Sequence, residues 1–116
     1  FDTFANHSYA GRKPDLANGR QEVSSTPWAS VSFAVPEQPA TIGLVTHPTN
    51  ARGDGMYFSM LTGFPYLAAT QGLDKEPLVY RSGDKFTLRY LVLLYPEVKS
   101  TEALEARARR WRESAP

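Results

Sequence analysis

The chain has 116 residues, of which 41% are hydrophobic and 22% charged, and its formal net charge at pH 7 is +1. This length and composition are typical of one soluble globular domain, and the near-zero net charge gives no electrostatic case for a nucleic-acid partner. The sequence contains no cysteine, which excludes a disulfide framework, a thiolate nucleophile and a cysteine metal site. We therefore expect no metal and no cofactor.

No apolar run approaches the length of a transmembrane helix and no signal peptide is visible, so we expect no membrane partner. The chain begins at Phe1 instead of methionine, which predicts a processed or excised piece of a larger protein. The absence of cysteines leaves the compartment open, and a periplasmic or secreted location is favoured.

Residues 1–20 scatter a few aromatic side chains among glycine, proline and asparagine, which predicts a loop-rich lead-in. After that, apolar and polar residues alternate with a period of two in several short runs, the pattern of half-buried strands. We predict a weak edge strand at 22–26 and further strands at 28–35, 41–46, 56–61, 66–69, 78–80 and 85–95.

The predicted strand at 85–95 is apolar on both faces near its end, so it needs cover from two sides. This pattern predicts a missing N-terminal half or a partner chain. The pattern of the terminal segment 100–113 predicts a helix at 101–112, with Ser100 as its N-cap and one narrow apolar face. The predicted fold is all-β, an antiparallel β-sandwich with one C-terminal α-helix, either as a single domain over 1–116 or as the C-terminal portion of a larger one.

The loop between the strands at 41–46 and 56–61 carries the densest group of hydrogen-bonding side chains: His47, Asn50, Arg52 and Asp54. Its proline and its two glycines indicate a shaped turn, because proline fixes φ and glycine allows positive φ. The loop is therefore the candidate site.

Each candidate residue has a functional and a structural interpretation. His47 is either a general acid/base or sugar ligand, or a strand-end histidine that hydrogen-bonds a neighbouring loop. Arg52 either binds a carboxylate or sugar hydroxyl, or braces the loop against Asp54 or a strand carbonyl. Three aromatic residues either stack on a sugar ring or pack in the core: Trp28, Tyr57 and Tyr66.

Several of these residues also carry a resemblance to a known family. The matching positions are His47, Pro48, Asn50 and Arg52, then 66–69, then Gly83, Asp84 and the T-L-R-Y run at 87–90, with Trp28 upstream. Over about 19–112 the sequence resembles the C-terminal half of the DUF6807 family, labelled methane oxygenase PmoA in domain collections. The family has Asp, Pro and a second His-Pro where this chain has Thr46, Ala51 and Gly53-Asp54.

The resemblance implies part of a galactose-mutarotase-like β-sandwich, of bacterial origin and in a carbohydrate-related setting, and it implies neither copper nor methane chemistry. We expect a module that binds a sugar through Asn50, Arg52 and the three aromatic residues, with the side chains of the 47–52 loop converging on one concavity. In the catalytic alternative, His47 is the general acid/base of a carbohydrate-active enzyme. In a third alternative the chain is a purely structural assembly domain.

Overall fold

The computed structural model describes residues 4–51, 53–61, 65–72 and 76–114. Within these ranges the chain forms two antiparallel sheets and a C-terminal helix, which confirms the predicted fold class. The elements are β1 (Ala5–Tyr9), β2 (Gln21–Ser24), β3 (Trp28–Phe33), β4 (Ala40–Thr46), β5 (Met56–Met60), β6 (Tyr66–Thr70), β7 (Tyr90–Tyr95) and α1 (Thr101–Arg112).

The first sheet has the strand order β1-β3-β4-β7 and the second has the order β2-β5-β6. They pack face to face through a buried cluster of Tyr9, Ala29 and Tyr57, with Leu44 against it. The Tyr9 hydroxyl lies 2.8 Å from the Ser59 hydroxyl, so β1 of the first sheet is tied to β5 of the second. Because side chains alternate along a strand, Phe58 points away from the first sheet.

The other face of the first sheet is covered by α1. The Ser100 hydroxyl accepts a hydrogen bond from the Ala103 amide at 3.2 Å, the N-cap predicted from sequence. Leu104 and Ala108 then pack on a buried cluster of the sheet that includes Trp28. The Trp28 indole N–H also donates to the Glu105 carboxylate, so the helix is held by both packing and a polar contact.

Two segments differ from the sequence prediction. Strand β1 lies within the lead-in at 1–20, which was predicted to be loop-rich and in which no strand was predicted. Its buried positions are His7 and Tyr9, neither of which is aliphatic, so the strand lacks the aliphatic alternation that reveals strands in a sequence.

The second difference is the stretch before β7. The predicted strand at 78–80 is not formed, and the strand predicted at 85–95 begins only at Tyr90. The turn at 82–84 does form, since the Asp84 amide donates to the Arg81 carbonyl at 2.9 Å. The flanking residues do not pair as strands, although the Tyr80 and Phe86 rings stack with their centroids 4.5 Å apart.

Strand β7 leaves apolar surface uncovered. Val92 is 56% and Leu94 72% exposed. Val92 lies directly opposite Leu44 in the sheet, so both face the side on which the second sheet packs. The second sheet covers Leu44 and leaves this part of β7 bare.

An ion pair links the lead-in to β2 and makes stability depend on pH. The Arg12 guanidinium hydrogen-bonds the Glu22 carboxylate and lowers its pKa to about 2, with further help from the Ser24 hydroxyl. A carboxyl group whose pKa is lower in the folded state stabilises the fold above its unfolded pKa and loses this contribution as the pH falls.

We therefore expect the melting temperature to decline between about pH 4.5 and about pH 2, and Glu22→Gln to flatten this part of the curve. Thermal melts monitored by circular dichroism over this range would measure it. The control is Glu37→Gln, because Glu37 is exposed on a turn. An identical pH dependence in wild type and Glu22→Gln would contradict the assignment.

Candidate functional site

His47 follows β4 directly and is 1% exposed. Its backbone amide donates to the Arg89 carbonyl at 3.1 Å, which continues the pairing of β4 with the β7 side. Nδ1 accepts a hydrogen bond from the Thr49 amide at 3.3 Å, and Nε2 lies 3.2 Å from the Ser114 carbonyl. The tautomer with its proton on Nε2 satisfies both contacts. The imidazole therefore joins the loop to the residues after α1.

The His47 ring also packs edge-on against Trp111 of α1, with ring centroids 5.0 Å apart. This contact and the two polar ones surround the imidazole with protein. The geometry supports the structural interpretation of His47, and a catalytic role stays a prediction.

Asn50 is buried and acts as a substitute for a strand residue. Its side-chain amide donates to the Arg89 carbonyl at 3.0 Å, and its Oδ1 accepts from the Arg89 amide at 2.8 Å. These two hydrogen bonds reproduce the exchange of N–H and C=O between paired strands. Asn50 thus fixes the loop on the residue before β7, and sugar binding by its side chain stays a prediction.

The rest of the loop closes against the helix. Gly53 and Gly55 adopt positive φ of 61° and 69°, as the sequence predicted for a shaped turn. The Asp54 carboxylate accepts a hydrogen bond from the Arg112 guanidinium at 2.5 Å. Arg52, predicted to bind a ligand or to brace the loop against Asp54 or a strand carbonyl, lies outside the described residues.

The three aromatic candidates occupy different places. Trp28 is buried beneath α1, and Tyr57 is buried between the sheets. The Tyr57 hydroxyl lies 2.5 Å from the Thr46 hydroxyl, and burial raises the pKa of Tyr57 to about 12. Tyr66 is 39% exposed on β6. Trp28 and Tyr57 are therefore core residues, and only Tyr66 presents a ring to solvent.

Trp28 and Pro48 both line a shallow groove of about 280 Å³ beside α1. His47 and Asn50 are not among the described residues that line it. The convergence expected from the sequence is thus not seen for the part of the loop that the structure describes.

A larger groove lies elsewhere, between the second sheet and the segment that leads into β7. Its volume is about 700 Å³. It is lined by Gln21, Val23, Phe58, Ala69, Thr70, Gln71, Leu88 and Tyr90.

The polar groups of this groove are amides and hydroxyls. The Gln71 amide donates to the Tyr90 hydroxyl at 2.7 Å, which places both at the junction of β6 and β7. Phe58 makes an edge-on contact with Tyr66, with ring centroids 5.5 Å apart, so the aromatic surface continues beyond the groove. None of the eight lining residues is acidic, basic or a histidine.

Sequence reasoning missed this groove because its residues come from four separate segments of the chain. One available signal was that Phe58 falls on the opposite face of β5 from the core residues Tyr57 and Ser59. An aromatic residue on the outer face of a strand is a candidate for ligand contact.

The described residues contain no group of three or more His, Asp or Glu side chains placed to hold a metal ion. None of the helices described there is long and apolar enough to cross a membrane.

The chain was also compared with known proteins. No family model, no curated protein and no solved structure matches it.

Proposed function

We propose that this chain is a non-catalytic carbohydrate-binding module whose ligand lies in the groove along Phe58. The observation that carries the proposal is the composition of the groove, an aromatic ring set in a mainly apolar lining that also carries several uncharged hydrogen-bonding side chains. The proposed ligand position is therefore the outer face of the second sheet, whereas the sequence predicted the 47–52 loop.

The groove chemistry fits a sugar ring. A pyranose has an apolar face of C–H groups, which stacks on an aromatic ring, and an equator of hydroxyls. The Gln21 amide supplies both donors and acceptors, and the hydroxyls of Thr70 and Tyr90, which accept hydrogen bonds from Gly72 and Gln71, can still donate. A pocket of this size with a few polar groups is the usual form of a small-molecule site.

The resemblance to a carbohydrate-related family supports the same class of ligand. The contacts of His47 and Asn50 support a ligand position away from the 47–52 loop, because the polar atoms of these two side chains are hydrogen-bonded within the protein itself. A surface loop whose polar groups are occupied has little left to offer a ligand.

Binding without turnover is favoured by the same lining. Hydrolysis of a glycosidic bond ordinarily needs two carboxyl groups on either side of the scissile bond. The described lining of the groove includes no carboxyl group.

Phe58→Ala should weaken sugar binding at least about tenfold, which corresponds to about 1.4 kcal/mol. The reason is that the stacking surface for the ring is removed while the polar groups stay. A glycan array would first identify a ligand, and isothermal titration calorimetry would then compare the variants.

The matched control is Tyr80→Ala, which removes an exposed aromatic ring outside the groove. It should bind the ligand as the wild type does. Equal affinity of wild type and Phe58→Ala, or no binding to any glycan on the array, would contradict the proposal. Turnover of aryl glycosides that is lost in His47→Gln would favour the catalytic alternative instead.

A further inference from the structure

We propose that two copies of this chain associate along the free edge of β7, where their β7 strands pair antiparallel across a twofold axis. The proposal does not depend on the ligand groove. It rests on the direction of backbone groups, on exposed apolar side chains and on the symmetry of the strand sequence.

The first observation is the position of β7. It is the last strand in the order β1-β3-β4-β7, so β4 pairs with one side of it and the other side is an edge among the described residues. An edge strand presents unpaired N–H and C=O groups to any strand that approaches it.

The contacts of Arg89 show which residues carry those groups. Its carbonyl accepts from the His47 amide and its own amide donates to Asn50, so both backbone groups of Arg89 point toward β4. In an antiparallel pair the direction of these groups alternates from residue to residue. The N–H and C=O groups of Tyr90, Val92 and Leu94 therefore point to the free edge.

The second observation is that β7 lacks the features that protect an edge. Its sequence, Y-L-V-L-L-Y, contains no charged residue and no proline. Strands at the edge of a monomer are usually protected by lysine, proline or a bulge. Here Val92 and Leu94, exposed by 56% and 72%, add apolar surface beside the unpaired backbone.

The third observation concerns the fit of β7 to a second copy of itself. A twofold axis through Leu93 places Val92 opposite Leu94 of the partner subunit, and Leu94 opposite Val92 of the partner subunit. The exposed apolar side chains then cover each other on one face of the extended sheet.

The same axis brings Arg89, four residues before Leu93, toward Glu97 of the partner subunit, because Glu97 lies four residues after it. Glu97 also pairs with Lys99 of its own chain at 2.7 Å, so its carboxylate would be shared between the two cations. Symmetry repeats this pair of opposite charges at the other end of the interface. An axis through Val92 would place Arg89 opposite Tyr95 of the partner subunit and give no such pair. Charge complementarity therefore selects the register centred on Leu93.

Sedimentation equilibrium tests the association. The wild type should show a mass approaching twice 12.9 kDa and dissociate on dilution. A variant with both Val92→Lys and Leu94→Lys should remain monomeric at the same concentrations, because four ammonium groups would meet at the axis. The control is Val79→Lys, at a position that is 85% exposed and outside β7; it should dimerise like the wild type.

Amide hydrogen exchange of the wild type tests the geometry without any variant. At concentrations that favour the dimer, the amides of Tyr90, Val92 and Leu94 should exchange at least about tenfold more slowly than in dilute samples. A wild type that is monomeric at all concentrations would overturn the proposal. A dimer in which these three amides exchange freely, or one that persists in the double lysine variant, would overturn it as well.

Discussion

Trp28→Ala is expected to lower the free energy of unfolding by about 3–5 kcal/mol, the usual cost of removing a large aromatic side chain from a packed core. Trp28 is 2% exposed and lies at the centre of the cluster that joins α1 to the first sheet. Its removal leaves a cavity between Val45 and Leu104 and deprives Glu105 of the indole N–H. Urea denaturation followed by circular dichroism would measure the loss.

The control for this variant is Trp28→Phe, which keeps an aromatic ring in the cluster. It should cost less, about 1–2 kcal/mol, since most of the packing remains and only the contact to Glu105 is lost. A loss below about 1 kcal/mol for Trp28→Ala would mean that α1 contributes little to the stability of the sheet.

His47→Ala is expected to lower the free energy of unfolding by about 2–4 kcal/mol. It removes a fully buried ring that packs on Trp111, and it leaves the Ser114 carbonyl and the Thr49 amide without their imidazole partner. Sugar binding measured on the folded fraction should remain at the wild-type level, because the groove along Phe58 does not include His47.

Thr49→Ala is the matched control, since it removes the hydroxyl that lies 2.8 Å from Nδ1 of His47 and, with it, only the methyl group of an exposed residue. It should cost about 1 kcal/mol or less, the net value of one hydrogen bond. If His47→Ala instead keeps its stability within about 0.5 kcal/mol and loses ligand binding, His47 is a site residue.

The fold was predictable where side chains alternate between aliphatic and polar. The strands β3, β4 and β5 follow that period, and the cap and apolar face of α1 located the helix at Thr101–Arg112. Strand β1 was not predicted because its inward-facing residues are His7 and Tyr9, which are not aliphatic. Their burial depends on hydrogen-bond partners in the other sheet, Tyr66 for His7 and Ser59 for Tyr9. No local pattern contains that information.

The prediction for the segment before β7 was wrong in the opposite sense, because a strand was predicted there that does not form. Residues 85–89 alternate as a strand does, yet among the described residues only the backbone of Arg89 is hydrogen-bonded to another part of the chain, to the Asn50 side chain and the His47 amide. Alternation predicts which side chains share a face and does not by itself supply a neighbouring strand.

The candidate site was predictable only in part. The sequence located a shaped polar loop, and the structure has its glycines at positive φ. Whether His47 and Asn50 face solvent or protein depends on Arg89 and Ser114, which lie 39 and 67 residues further along the chain from Asn50 and His47. The groove could not be predicted from the sequence for the same reason, because its lining residues come together only when the chain folds.

The central claim, that a sugar ligand lies in the groove along Phe58 and not at the 47–52 loop, is tested most directly by a titration followed by ¹H–¹⁵N NMR. The account predicts that the largest shifts fall on the amide signals of Val23, Phe58, Thr70 and Leu88, and that the amide signals of the 47–52 loop, such as those of His47 and Asn50, do not shift. Largest shifts at 47–51, retained in Phe58→Ala, would contradict it.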